Sequence, residues 1–164
     1  MRFSIIAFSE NGASLAKRIS LGLKNNSKDN KTDVYIASRH AESTGFVPFS
    51  SVYDLTEGMF NDADAIIYIG ACGIAVRAIA PLVKSKLRDP AVIVCDEMGR
   101  FAISLLSGHV GGANEITGEI AKIIGANPVI TTASDSYNAY YNVQSPKNLV
   151  LGIGCRKGLK PEDI

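Results

Sequence analysis

The 164-residue chain has no basic run and no acidic tail. Its 17 Lys and Arg are interspersed with 16 Asp and Glu, for a net charge of +1. Composition therefore gives no support for a nucleic-acid or membrane-surface partner. No apolar stretch reaches the roughly 18 residues of a spanning helix. The apolar start, Met1 to Phe8, is too short for a signal peptide and runs into Ser9-Glu10-Asn11 with no cleavage-like region. Cysteine is scarce: Cys72, Cys95 and Cys155 are odd in number and lack C-x-x-C spacing. That pattern excludes a disulfide framework and a structural zinc site, and suits a reduced, cytoplasmic setting. Histidine is scarcer still, with only His40 and His109, so no Cys/His cluster offers a protein-ligated metal. No G-x-x-x-x-G-K-[ST] loop exists, and Gly152-x-Gly154-x-x-x-Gly158 has the wrong spacing for G-x-G-x-x-G. Nucleotide binding thus lacks its usual signatures. No internal repeat is evident.

What is present is a core: 46% of residues are hydrophobic, enough for a sizeable domain. Residues 2–8 form an apolar run of the kind buried on both faces of a sheet. Leu15, Ala16, Ile19 and Leu23 fall at helical spacing within a helix expected over 13–23, and 25–32 is a polar loop. Residues 34–37 read as a short strand. Ser50 or Ser51 caps a helix carrying Val52, Leu55 and Met59. Ala65 to Ile69 is the clearest central strand, ended by Gly70. A helix is expected from about Ile74, with Pro81 starting a second helical turn. Residues 91–95 are another buried strand, joined by a tight turn over 96–100 to a strand over 101–106, a hairpin. A loop over 107–112 precedes a helix that runs to Ile124, with Gly125 at its C-terminal cap. Pro128 to Thr132 reads as a strand.

Strands alternating with helices imply the α/β class: three layers, a mostly parallel doubly wound sheet with helices on both faces. Ligands in such sheets bind beyond the carboxyl ends of strands. That topology is expected to gather the loops over 9–12, 70–73 and 107–112, with Thr131 and Thr132, near one rim. Residues 1–133 read as an N-terminal α/β domain, 134–148 as a linker rich in Ser, Asn and Tyr, and 149–164 as the start of an incomplete C-terminal domain.

Four segments can carry chemistry. In Gly70-Ala71-Cys72-Gly73-Ile74-Ala75-Val76-Arg77, amides at a helix start attract anions, and Arg77 adds a bidentate contact; the bland alternative is tight helix–sheet packing. Cys72 is either a nucleophile activated by the helix or a small buried filler. In Ser107-Gly108-His109-Val110-Gly111-Gly112-Ala113-Asn114-Glu115, His109 offers a general base or acid, and Asn114 a cap or an oxyanion donor. Glu115 is a base or a favourable first-turn acid. The bland alternative for His109 is a loop histidine bonded to backbone. In Asp96-Glu97-Met98-Gly99-Arg100, a hairpin turn alone accounts for Gly99 and solvated acids. Thr131 and Thr132 are ligand donors or β-branched strand filler.

The run from Tyr68 to Thr132 resembles the CbiG family, the cobalt-precorrin-5A hydrolases of anaerobic cobalamin biosynthesis. The S-G-H-x-G-G-A-N-E stretch is its most specific piece, and Leu151-Gly152-Ile153-Gly154-Cys155-Arg156-Lys157-Gly158 resembles the opening of the family's C-terminal domain. The resemblance implies a hydrolase that opens the δ-lactone of cobalt-precorrin-5A, after which a two-carbon fragment leaves as acetaldehyde, giving cobalt-precorrin-5B. The partner is then a cobalt-corrinoid intermediate, and no separate cofactor is needed because cobalt arrives in the substrate. On this reading His109 is the general base, with Glu115 or Glu97 as alternatives, and Asn114 and loop amides hold the oxyanion. Gly70, Cys72, Gly73, Arg77, Arg100, Gly108, Gly111, Gly112, Thr131 and Thr132 would contact substrate. A homodimer, or a second chain supplying the missing C-terminal domain, would complete the assembly. Two other readings stay open: a corrinoid-binding or carrier module without turnover, and a generic phosphate-binding α/β domain.

Overall fold

The structure, a computed structural model, describes residues 1–132. The chain divides into two compact units, Met1–Ile130 and Thr131–Ile164. Every element below belongs to the first; the readings of 134–148 and 149–164 lie outside the described residues.

Strand β1 (Arg2–Ala7) leads into helix α1 (Glu10–Asn26), whose N-cap Ser9 accepts the Gly12 N–H at 3.1 Å. The helix exceeds its expected span at both ends because Ser9 starts it early and its backbone bonds persist to Ser27. Strand β2 (Lys31–Ala37) follows. The segment after it, unassigned from sequence, forms a 3-10 turn (Ser38–His40), the short helix α2 (Ala41–Thr44) and the strand β3 (Val47–Phe49). Ser51, of the two serines proposed, caps α3 (Val52–Met59) by accepting the Asp54 N–H at 3.2 Å. Strand β4 (Ala65–Ile69) is fully buried and α4 (Cys72–Ile79) follows it. Pro81 does not start a helical turn: Leu82 and Val83 donate back to the Ile79 carbonyl and close α4 in a plain turn. Strands β5 (Ala91–Cys95) and β6 (Phe101–Leu106) form the expected hairpin. Helix α5 (Ala113–Ile124) ends at Gly125, which takes φ +73°. Strand β7 is shorter than expected, Asn127–Val129, matching the three residues that pair with β6.

The seven strands order as β3-β2-β1-β4-β5-β6-β7. Every neighbouring pair is parallel except β5 with β6. Alternation along the strands splits the core. Phe3, Ile5, Ile67 and Ile93 pack with Leu15 and Ile19 of α1 and Ile120 of α5. Ile6, Ile66, Tyr68 and Val92 pack with Met59 of α3 and Ile79 of α4 on the other face. This is the three-layer, mostly parallel doubly wound α/β arrangement, with helices on both faces.

The expectation that the functional loops share one rim fails for residues 107–112. Because β6 runs against β5, Leu106 pairs with Val92 at the amino end of the parallel strands. The loop after β6 therefore emerges on the rim opposite Gly70. Thr131 and Thr132 belong to the second unit.

Tyr68 is the largest fully buried side chain, and its hydroxyl meets the Thr56 hydroxyl at 2.8 Å. Burial pushes its pKa up to about 12, with the Thr56 bond opposing. Thr56 already donates to the Val52 carbonyl at 2.7 Å, so Tyr68 is the donor in this pair. Tyr68→Phe leaves Thr56 satisfied and is expected to cost only about 1 kcal/mol in urea unfolding. A loss of several kcal/mol would mean that the pair organises more than itself.

Candidate functional site

The two rims carry different chemistry. At the carboxyl rim, β1 and β4 are neighbours whose following helices cover opposite faces, which makes this the switch point of the sheet. A depression of about 450 Å3 lies there, lined by Phe8, Gly70, Ala71, Ile74, Asp96 and Glu97. Ser9 donates to Glu97 Oε1 at 2.8 Å, so the cap of α1 also holds this carboxylate. A Cβ on Gly70 would stand 3.1 Å from the Phe8 ring, so the strand end is packed as well as turned. Helix α4 starts at Ala71 without a side-chain cap, and Arg77 Nη1 folds back onto the Gly73 carbonyl at 3.1 Å. Cys72 is half-buried in the first turn of α4. Cys95, at the end of β5, is pushed up to about 12 by burial and by Asp96, which leaves it an inert thiol.

Asp96 is structural. Its Oδ1 accepts the N–H groups of Arg100 and Phe101, each at 2.7 Å, and Oδ2 accepts Arg100 Nε at 3.0 Å. Burial alone would raise its pKa, but these donors outweigh it and hold the carboxyl below the usual aspartate range. Arg100 is thereby occupied, its guanidinium also lying 5.9 Å from the Phe101 ring centre.

The amino rim holds the loop after β6. Ser107 takes φ +58° and Gly112 φ +78°. The Ser107 and Gly108 carbonyls accept the N–H groups of Ala113 and Asn114, at 3.2 and 3.0 Å. Ser104 donates to Asn114 Oδ1 at 2.7 Å, so this carboxamide is anchored to β6 through its oxygen. By contrast, the N–H groups of residues 109–112 make no hydrogen bond among the described residues. His109 and Glu115 are exposed. A Cβ on Gly111 would collide with Ser107 Cβ and come within 2.9 Å of the Ser107 carbonyl oxygen, so this position demands glycine.

The sequence reading did not join this loop to its neighbour. Ser107 Oγ donates to the Asp89 carbonyl at 3.1 Å. Asp89 is buried, and its Oδ2 accepts the N–H groups of Lys84 and Ser85 at 3.0 and 2.9 Å. The result is a compact turn presenting exposed Lys84, Lys86 and Arg88, with Leu87 at 70% exposure. Val110 in the glycine-rich loop is 60% exposed. The alternate cations of Lys84-x-Lys86-x-Arg88 were the available signal.

The structure therefore brings Gly108, His109, Gly111, Gly112, Asn114 and Glu115 together, and separately Gly70, Cys72, Gly73, Arg77, Glu97 and Arg100. The six residues of β6 separate the sets by about 20 Å. His109 and Glu97 are not interchangeable bases of one pocket. Among the described residues, no three His, Cys, Asp or Glu side chains converge as a metal site, and no helix is long and apolar enough to cross a membrane.

Comparison with known proteins identifies the family to which the chain belongs. A family model described as cobalamin synthesis G N-terminal matches residues 54–135, which span both rims. The cobalt-precorrin-5A hydrolase of Salmonella typhimurium is 44% identical over 133 residues, 80% of this chain and 36% of that protein. The enzyme of the same name from Priestia megaterium is 38% identical over 138 residues, 81% of this chain and 35% of that protein. A crystal structure described as a cobalamin biosynthesis protein G homolog, from Sulfolobus solfataricus, superposes with a TM-score of 0.61 at 29% identity, covering 83% of this chain and 39% of that one. The chain thus spans about a third of the length of the curated relatives it matches.

Gly111→Ala is expected to destabilise by about 1–3 kcal/mol through overpacking. Gly118→Ala, in mid-α5 with open space for a Cβ, is expected to stabilise by about 0.5–1 kcal/mol in the same denaturation assay. Asp96 has a depressed folded pKa, so its contribution is present above the ordinary aspartate range and is lost as pH falls through the folded value. Asp96→Asn should flatten that acid limb of stability against pH; an unchanged limb would remove Asp96 from the acid response.

Proposed function

Starting from the chain's membership of the cobalamin synthesis G N-terminal family, we propose that it is the substrate-handling domain of a cobalt-precorrin-5A hydrolase working in the cytoplasm. The names of the relatives and the family match support the activity. The carrying observation is the Ser107–Asp89 bond, which sets the glycine-rich histidine loop against the basic turn.

The substrate is a cobalt-bearing macrocycle with several carboxylates and a δ-lactone. Lys84, Lys86 and Arg88 supply charge for the carboxylates, and Leu87 and Val110 supply apolar contact for the ring face. The carboxyl-rim depression suits such a ligand less well, because two carboxylates, Asp96 and Glu97, line it. Lactone opening needs a proton acceptor for water and donors for the oxyanion. His109 and Glu115 are the exposed bases of the amino rim, and the N–H groups of residues 109–112 are the donors. Water adds to the lactone carbonyl as a base takes its proton. The ring C–O bond then breaks and the proton passes to the departing alkoxide. The alcohol so formed then gives up its proton, its carbon–carbon bond to the macrocycle breaks with the electron pair passing to the macrocycle, and the two-carbon fragment leaves as acetaldehyde. The cobalt belongs to the substrate, so no further cofactor enters.

A second reading is a binding domain whose turnover needs other parts of the hydrolase, since the match covers about a third of the curated relatives. Visible titration with cobalt-precorrin-5A followed by an acetaldehyde assay separates the two. Release by the chain alone places the whole reaction here; binding without release assigns turnover to the complete enzyme. Replacing Lys84, Lys86 and Arg88 by Gln should weaken binding roughly tenfold, at about 0.5 kcal/mol for each exposed contact, and reduce its salt dependence. Loss of turnover in Glu97→Gln, with His109→Ala and Glu115→Gln unaffected, would move the chemistry to the other rim.

A further inference from the structure

We infer that His109 is the axial ligand of the substrate's cobalt, so that the glycine-rich loop recognises the macrocycle by its metal as well as by its carboxylates. The inference rests on the proposed corrinoid substrate and assigns His109 one role within that site.

The loop sets an exposed imidazole among glycines at the surface. His109 is exposed, and its neighbours Gly108, Gly111 and Gly112 add no side-chain bulk beside the imidazole. Val110 is the one larger side chain between them, and it is apolar and exposed. A macrocycle laid on this surface meets an imidazole at its centre, apolar contact across its face, and the cations of the basic turn at its edge. Neutral imidazole is a common ligand for borderline transition metals. Ligation needs only its lone pair, and water can serve the other ring nitrogen. A general base is more demanding, because a bond on the second nitrogen normally fixes its tautomer; no residue makes one to His109 among the described residues. In the ligation step the imidazole lone pair replaces an axial water on cobalt. The water leaves and the oxidation state is unchanged. Pinning the metal leaves the lactone at the ring edge, where Glu115 of the first turn of α5 serves as the proton acceptor.

The test uses Co(II) cobyrinic acid, a corrinoid that keeps its peripheral carboxylates and has no nitrogenous base of its own. Bound to the intact chain, each cobalt hyperfine line in the electron paramagnetic resonance spectrum should split into a triplet from one axial nitrogen. Labelling histidine with nitrogen-15 should convert the triplet to a doublet. His109→Ala should restore unsplit lines while visible titration still shows binding. His40→Ala, which removes the only other histidine, should keep the triplet. Unsplit lines from the bound wild-type chain, or a triplet that survives His109→Ala, overturns the ligand assignment while leaving the corrinoid reading in place. Failure of the wild-type chain to bind the corrinoid at all overturns both.

Discussion

One carboxylate decides where the later half of the chain goes. Asp96 accepts three N–H groups, two from the backbone of Arg100 and Phe101 and one from the Arg100 guanidinium. Charge-assisted bonds of this kind are strong and directional, and here they close a turn within five residues. Gly99 supplies the left-handed residue at φ +66°. Having no Cβ, it lets Leu15 of α1 approach to 3.2 Å of where that atom would lie, with Ile124 of α5 close behind. The reversal is thus tied to the core on the α1–α5 face. It turns β6 antiparallel, and with it α5 and β7.

That reversal gives the domain two edges of different chemistry, with the loop after β6 on the rim opposite Gly70. At the carboxyl rim, Ser9 joins the cap of α1 to Glu97, and Asp96 neutralises Arg100. The charges there are largely satisfied within the protein. At the amino rim, the carboxylate of Asp89 is consumed by backbone amides, while Lys84, Lys86 and Arg88 remain at the surface. The amino rim thus sets a basic turn and the N–H groups of the histidine loop beside the exposed carboxylate of Glu115, which is the surface the proposed polycarboxylate ligand would meet.

The legible parts of the fold were those in which local pattern and burial agree. Uninterrupted apolar runs marked β4 and β5, and their residues are indeed buried throughout. Ile116, Ile120, Ile123 and Ile124 marked the inner face of α5, and all are buried but Ile123, which is half-buried. The segment over 38–49 was opaque because its elements are three or four residues long and depend on distant partners, such as Ser38 Oγ donating to the Phe49 carbonyl at 2.8 Å. The hairpin itself was legible, yet its consequence for the loop over 107–112 was not drawn: grouping loops by the strand they follow ignores strand direction. The basic turn was invisible for another reason. Its cations matter only because Asp89 folds the turn and Ser107 holds it against the histidine loop, and both are tertiary bonds.

The binding site proposed at the amino rim is compatible with the rule that α/β sheets bind ligands at the carboxyl ends of strands. The rule rests on local construction: a strand ends, glycines turn the chain, and helix amides face the gap. Residues Leu106 to Ala113 have that construction, since β6, α5 and the parallel strand β7 form a βαβ unit of their own. The unit is simply inverted relative to β1, β4 and β5. Its first loop is held in a costly conformation, Ser107 at positive φ, of order 1–3 kcal/mol. Three features of the loop offset that strain: the Ser107 carbonyl accepts from Ala113, its hydroxyl donates to Asp89, and Gly111 packs against it. Those three contacts hold the loop backbone in one conformation before a ligand arrives, which suits the binding role proposed for it.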